Sequence, residues 1–461
     1  MAFSAALRDW GGEARLPFRL QGVLIGLICF AAGGVPRLLP ALFGLLGLVA
    51  AFHVFKTEPR LPLKLAKTAF GVALAISIAY LFVNALWAPD RPGALVKAVI
   101  VLGLSAGALF ITASYSLRSG AEASVLGKSA LAGFILGAAF LLFEIVFHES
   151  VMLFINNHLV QVFEITPKKM KIEQGRVTEI SSFVLNRNVT SLVLLLIPVL
   201  LLTVALPTKT ARRVAIAALV VVTAVSTLLS ESGTSVMAFF VGALVLALAT
   251  LSLKAARLVI VGAWIVAVVL AVPLGALPYK LGWEDWTWLP PQSVAARFYI
   301  WKYVADEVYE RPLAGIGIRG SRALHLRIPA DASDPSHASY ALQGREARHP
   351  HNIYLQTWLE LGAIGAMLLL CLGLAGLWTI GTWPPLLQGA GYSLFAVGST
   401  VGISGFDFWQ TWMLGAVLFG WTTMMLGFRF PELGVFSRRS SEFDRERGGK
   451  SCFTRPNRLI D

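Results

Sequence analysis

The chain has 461 residues, of which 56% are hydrophobic and 14% charged, with a net charge of +13 and a mean hydropathy of +0.70. Soluble proteins carry roughly 25% charged residues, so a large soluble helical core is excluded, because too little charge is available to cover its surface. In a chain this apolar, basic excess reads as loop charge on one side of a membrane and not as a nucleic-acid surface.

Apolar runs recur along the whole length, each near the roughly 20 residues that a helix needs to cross a bilayer core. They predict an all-α, polytopic integral membrane protein with about 12 transmembrane helices. The first apolar run lacks a clear A-x-A site and leads straight into a second, so it reads as a span and not as a cleaved leader. Spans one and two cover about Leu20–Gly33 and Leu38–Phe55. The basic loop with Lys56, Arg60, Lys64 and Lys67 precedes span three, about Thr68–Trp87. Span four follows at about Leu95–Tyr115, and span five at about Ser129–Phe147.

A polar segment near 148–182 is the first sizeable external loop. Span six opens with F-V-L-N-R-N and runs to about Leu206. Spans seven and eight meet at S-E-S-G-T, residues 230–234, and span nine covers about Leu258–Leu277. Spans one to nine thus occupy 1–277. A large external loop with short helices occupies 278–352, spans ten to twelve occupy 353–428, and a basic tail, expected to be disordered, occupies 429–461. Both termini fall inside, because the short inner loops hold most Lys and Arg, while the short outer loops hold mainly Arg37 and Arg91. Cys29 and Cys371 lie in apolar spans and Cys452 in the tail, which writes no disulfide framework and no metal cluster.

Given that topology, the unusual polar residues gather at the outer face. Arg187 stands in N-R-N at the mouth of span six, between Asn186 and Asn188. It reads either as an interfacial arginine snorkelling to headgroups or as part of a wet pocket. Arg297 lies in a segment with apolar or aromatic residues at Val294, Phe298, Trp301, Val304 and Val308. That is helical spacing with one wet face, which also suits a helix lying on the membrane. Arg311 opens R-P-L-A-G-I-G, a helix end and turn. His349 and His351 flank Pro350 just before Asn352. Two histidines fall short of the three protein ligands of a zinc site. A neutral histidine at the membrane edge suits general-base work or a plain capping role. Glu231 and Asp407 stand in the remaining outer turns.

Together these blocks resemble the O-antigen ligase and O-antigen polymerase superfamily of bacterial envelope enzymes. The resemblance rests on N-R-N (186–188), S-E-S-G-T (230–234), A-R-F-Y-I-W-K (296–302), R-P-L-A-G-I-G (311–317) and H-P-H-N-I-Y-L-Q-T-W-L-E-L-G-A-I-G (349–365). One departure is S-E-S-G-T, where many relatives carry an Arg after the second Ser. The resemblance implies a glycosyltransferase of the bacterial inner membrane with its active site facing the periplasm. It also implies a glycan donor on undecaprenyl diphosphate and a sugar hydroxyl of lipid A–core as acceptor. In the polymerase the acceptor is a second lipid-linked glycan, and a flippase or transporter is a rival of another class. The family's two functional arginines map onto Arg187 and Arg297. Its histidine maps onto the 349–351 motif, and His351 is chosen because it directly precedes Asn352. Asn188, His349 and Asn352 are the expected substrate-binding neighbours. No D-x-D-like motif stands among the outer residues. The expected reaction is therefore a metal-independent, inverting displacement with no cofactor and no nucleic-acid partner.

Overall fold

The computed structural model describes residues 15–158, 170–173, 176–283, 292–324 and 349–434. The greater part of the basic tail and residues 325–348 of the large loop therefore lie outside the described residues. The protein is an all-α, multi-pass membrane protein. Among the described residues, ten helices are long and apolar enough to cross a bilayer, and a bent pair makes an eleventh. An apolar helix of 17 residues, Thr411–Gly427, stands where the twelfth span is expected.

In chain order the helices are α1 (Arg15–Gly33), α2 (Leu39–Thr57), short α3 (Leu61–Ala66), α4 (Ala69–Asn84), α5 (Arg91–Ser116) and α6 (Gly120–Val146). Short α7 (Ser150–His158) and an antiparallel ribbon, β1 (Met170–Glu173) with β2 (Arg176–Ile180), come next. There follow α8 (Asn186–Leu202), α9 (Lys209–Leu229), α10 (Gly233–Leu251), α11 (Leu253–Val269) and α12 (Ala271–Lys280). The last are α13 (Gln292–Glu310), α14 (Ile353–Ile380), α15 (Pro385–Ser404), α16 (Thr411–Gly427) and short α17 (Pro431–Gly434).

Helix packing follows the small residues, because lipid offers no hydrophobic drive to hold helices together. Along the α1–α6 seam, a Cβ at Gly33 would lie 2.2 Å from the Gly137 carbonyl oxygen, and one at Gly133 only 2.0 Å from that of Gly26. The two backbones touch, and no larger residue fits there. Helix α8 is buried over 89% of its apolar window, which makes it the central post of the bundle. Its all-round apolar sequence after Ser191 is that of a helix with no lipid face.

Two spans are not straight. Span nine, expected as one continuous helix, is broken at Leu270 into α11 and α12 with a 74° bend. Pro273 follows three residues later, and its ring collides with the carbonyl four residues back, at Val269.

Helix α14 is interrupted at Gly362 (φ 67°, ψ −167°), a conformation open essentially to glycine alone. The break frees backbone groups inside a span, where each must find a partner. The R-P-L-A-G-I-G segment supplies several. Leu359 and Glu360 carbonyls accept from the Ile316 and Gly317 N–H groups, both at 2.9 Å. The N–H groups of Ala363 and Ile364 donate to Pro312 (2.8 Å) and Leu313 (3.2 Å). The Tyr80 hydroxyl donates to the Leu361 carbonyl at 2.7 Å. The Asn84 amide donates to the Ala314 and Glu360 carbonyls at 3.0 and 3.2 Å, and its oxygen accepts from Ile318 at 2.8 Å. The loop motif and the E-L-G-A-I-G motif of span ten are thus two halves of one clasp.

Candidate active site

The clasp aims the H-P-H-N segment. Asn352 caps α14, its side-chain oxygen accepting from the N–H groups of Tyr354 (3.0 Å) and Leu355 (3.1 Å). Just before the cap, His351 takes the left-handed conformation (φ 55°), which non-glycine residues seldom adopt. This turn brings the two imidazoles together, ring centroids 4.0 Å apart.

Each ring has an assigned hydrogen bond. The His351 backbone N–H donates to His349 Nδ1 at 3.3 Å. His351 Nδ1 lies 3.0 Å from the Gly405 carbonyl oxygen, beyond the end of α15. A carbonyl only accepts, so His351 Nδ1 carries the proton and Nε2 keeps a free lone pair. Burial holds both histidines below the ordinary histidine range, and for His349 the neighbouring His351 adds to the effect. Both are therefore neutral at neutral pH, and His351 presents the atom that a general base uses.

Helix α13 lies against this turn. The Trp301 indole N–H donates to the Pro350 carbonyl at 2.8 Å. Arg297 is one helical turn before Trp301, so it projects from the same side of α13. It is half-buried, and burial lowers the proton affinity of its guanidinium. Its charge is felt by both His349 and His351. Among the described residues no carboxylate pairs with it. A half-buried cation without a counter-ion is costly, and an anionic ligand would relieve that cost.

Arg187 is half-buried in the first turn of α8, and it too lacks a carboxylate partner among the described residues. Its neighbour Asn188 is buried, and its amide donates to the carbonyls of Gly33 (2.8 Å) and Gly34 (2.7 Å). That pair of bonds fixes the end of α8 against the end of α1, and so sets where Arg187 stands. The link to the histidines runs through hydroxyls. Thr190 and Ser235 Oγ atoms are 2.7 Å apart, as are those of Ser235 and Ser232, the N-cap of α10. Thr234 donates to the Ser404 carbonyl at 3.1 Å, next to the Gly405 that holds His351. The first turn of α8, the first turn of α10, the last turn of α15 and the mouth of α14 therefore meet at one end of the bundle. Glu231 is exposed in the same turn.

Beneath the histidines lies a buried polar network that sequence reasoning only touched. Asp407, 1% exposed, accepts from Arg322 at 2.9 Å and from the Gln356 amide at 2.7 Å. Gln356 also donates to Glu360 at 3.1 Å. Glu360, fully buried, accepts from the Arg319 N–H at 2.9 Å, the Ser321 hydroxyl at 2.6 Å and the Trp409 indole N–H. Helix rise puts Glu360 about 12 Å beyond Asn352, so it organises the loop and does not reach the histidines. Asp407 was visible as an acid in an outer turn, and Glu360 only as the acid of the 349–365 motif. Arg322 and Gln356 carried no signal, since their importance comes only from their partners.

Glu149 was also missed. It is 5% exposed and left-handed (φ 58°). Burial, then the charges of Glu144, Glu231 and Glu179, push its carboxyl up to about 7. No cluster of three or more His, Cys, Asp or Glu suited to a metal occurs among the described residues.

Residues 218–370 match a family model described as O-antigen ligase. That stretch contains Arg297, His349, His351 and both halves of the clasp, while Arg187 lies before it. Over 127 residues the chain is 32% identical to a protein of Rickettsia prowazekii (strain Madrid E) named "Putative polysaccharide ligase", covering 26% of this chain and 29% of that protein. A protein of the same description from Rickettsia conorii (strain ATCC VR-613 / Malish 7) is 31% identical over 129 residues, 27% of this chain and 29% of the relative. The similarity thus spans less than a third of the relatives' own length.

Proposed function

We propose that this chain, a member of the O-antigen ligase superfamily through residues 218–370, transfers O-antigen glycan from undecaprenyl diphosphate to a sugar hydroxyl of lipid A–core. The site faces the periplasm of the bacterial inner membrane. His351 Nε2 takes the proton of the acceptor hydroxyl. The hydroxyl oxygen bonds to the anomeric carbon from the side opposite the diphosphate. The bond from that carbon to the diphosphate breaks, and its electron pair goes to the departing diphosphate oxygen. Arg187 and Arg297 take up the negative charge that grows there. Two rigid, permanently charged guanidinium forks suit phosphate oxygens, and charge stabilisation at the leaving group lowers the barrier directly. A single displacement inverts the anomeric centre.

The observation that supports this reading best is the fixed tautomer of His351. Its Nδ1–H is held by the Gly405 carbonyl at 3.0 Å, which leaves Nε2 as a base on a neutral ring within the field of Arg297. Asn188 and Asn352 act by fixing Arg187 and the histidine turn, because their amide groups are engaged in the backbone. His349 braces His351 through their ring contact.

The test is transfer by the purified full chain, given lipid-diphosphate glycan and lipid A–core in the presence of a chelator. Glycan on lipid A–core is the expected product. A lengthened lipid-linked glycan would instead make the chain a polymerase, and loss of activity restored by a divalent ion would overturn the metal-free displacement.

A further inference from the structure

At the end of the bundle opposite the histidines, the same central helices part around a cavity of about 320 Å³. Its walls include Ile197 and Leu201 of α8, Ile216 of α9, Leu246 of α10, and Leu386 and Ala390 of α15. The lining holds one hydroxyl, that of Thr203, and it donates to the Leu200 carbonyl at 2.7 Å. Apart from Arg212 at its border, the lining therefore offers a ligand apolar contact and no free hydrogen-bonding side chain. Its size is that of the smaller ligand pockets, roughly 300 Å³ and upward.

Arg212 borders the cavity. Lys209, Arg212 and Arg213 occupy i, i+3 and i+4 of the first turn of α9, which puts them on one face, and no acid accompanies them in that turn. Three cations at a helix N-terminus oppose the helix dipole. Arg212 Nε donates to the Leu206 carbonyl at 2.9 Å, and among the described residues the carboxylate paired with its guanidinium is that of Glu432, 3.7 Å away and 54% exposed, too open to balance the group. A helix N-terminus rich in cations, set over a dry slot between transmembrane helices, is complementary to an anionic headgroup with an apolar tail.

We infer that this cavity seats one acyl chain of an anionic phospholipid, with its phosphodiester held by Arg212 and supported by Lys209 and Arg213. Helices α8, α10 and α15, which meet at the opposite end through the Thr190–Ser235 and Thr234–Ser404 hydrogen bonds, are held at this end around the lipid tail. The inference does not depend on the transfer reaction.

The experiment is native mass spectrometry of the full chain in detergent, titrated separately with phosphatidylglycerol, with phosphatidylcholine of the same chains, and with inorganic phosphate. One phosphatidylglycerol per chain is expected to stay bound at least tenfold more tightly than phosphatidylcholine. Arg212→Gln should remove most of that preference, since a charge-assisted bond to phosphate is lost. Ala390→Phe should fill the slot and abolish retention of either lipid. If Ala390→Phe fails to fold, Arg212→Gln, at a partly open surface, decides alone. Equal binding of the two phospholipids, an unchanged preference in Arg212→Gln, full retention in folded Ala390→Phe, or displacement of the lipid by millimolar phosphate would each overturn the assignment.

Discussion

His351 is held by a left-handed backbone, a bond from its Nδ1–H to Gly405 and a ring contact with His349, so its reactivity is set by position as much as by identity. Replacing it with alanine should lower turnover by about 10²–10⁴-fold, the range for a positioned proton acceptor, while lipid-diphosphate binding survives. Because burial depresses its proton affinity, the ring stays neutral to lower pH than a free imidazole. The acid limb of the pH–rate profile should accordingly fall below the ordinary histidine value of about 6.5. A limb at or above that value would remove His351 as the base. Arg187→Ala and Arg297→Ala should each nearly abolish transfer, and lysine should restore only part of it because a point charge lacks the planar fork. Full activity in either alanine variant would take that residue out of the diphosphate site. Glu149 carries the opposite sign of titration. Its carboxyl, raised to about 7, keeps a proton in the folded protein that the unfolded chain has already released. Folding is therefore disfavoured progressively as pH rises from the ordinary carboxylate range to about 7, and the penalty is complete above that. Glu149→Gln should raise the melting temperature at pH 8 and leave it nearly unchanged at pH 4, which a thermal scan at both values checks.

At the scale of elements, the clasp between residues 311–317 and the break in α14 leaves no room for a side chain at Gly362. A Cβ at Gly362 would lie 2.3 Å from the Leu313 carbonyl oxygen, in a conformation already closed to other residues. Gly362→Ala should therefore cost about 2 kcal/mol or more in stability. A denaturation midpoint equal to that of the parent would show that the break is not held as described. The spans themselves were legible in the sequence because apolar length is enough to mark them. The two motifs of the clasp were legible as unusual but not as partners, since backbone bonds between distant segments leave no trace in residue type. The bend at Leu270 could be read from Pro273 only once the helix was known to continue beyond it. Arg297 showed the pattern of an amphipathic helix, and that pattern alone does not separate a membrane-surface helix from one docked beside the histidines. The deciding contact, Trp301 to the Pro350 carbonyl, pairs a common aromatic with a backbone atom. Asp407 was conspicuous, whereas Gln356, which joins it to Glu360, was not.

For the whole molecule, the distribution of Lys and Arg predicts that the histidine end faces the periplasm. In a background without Cys29, Cys371 and Cys452, a cysteine at exposed Glu231 should react with an impermeant thiol reagent from outside, and one at Lys254 should not. The reverse pattern would invert the map. The interrupted span also bears on how the protein is made. Most transmembrane helices satisfy their own backbone and can enter the bilayer ready-formed. Helix α14 cannot, because the groups freed at Gly362 are satisfied by residues 312–317, Asn84 and Tyr80. All of these emerge from the ribosome before α14 does. The break in this span is therefore satisfied only when residues 312–317 are docked against it, which couples seating of the helix in the bilayer to placement of a segment that precedes it in the chain.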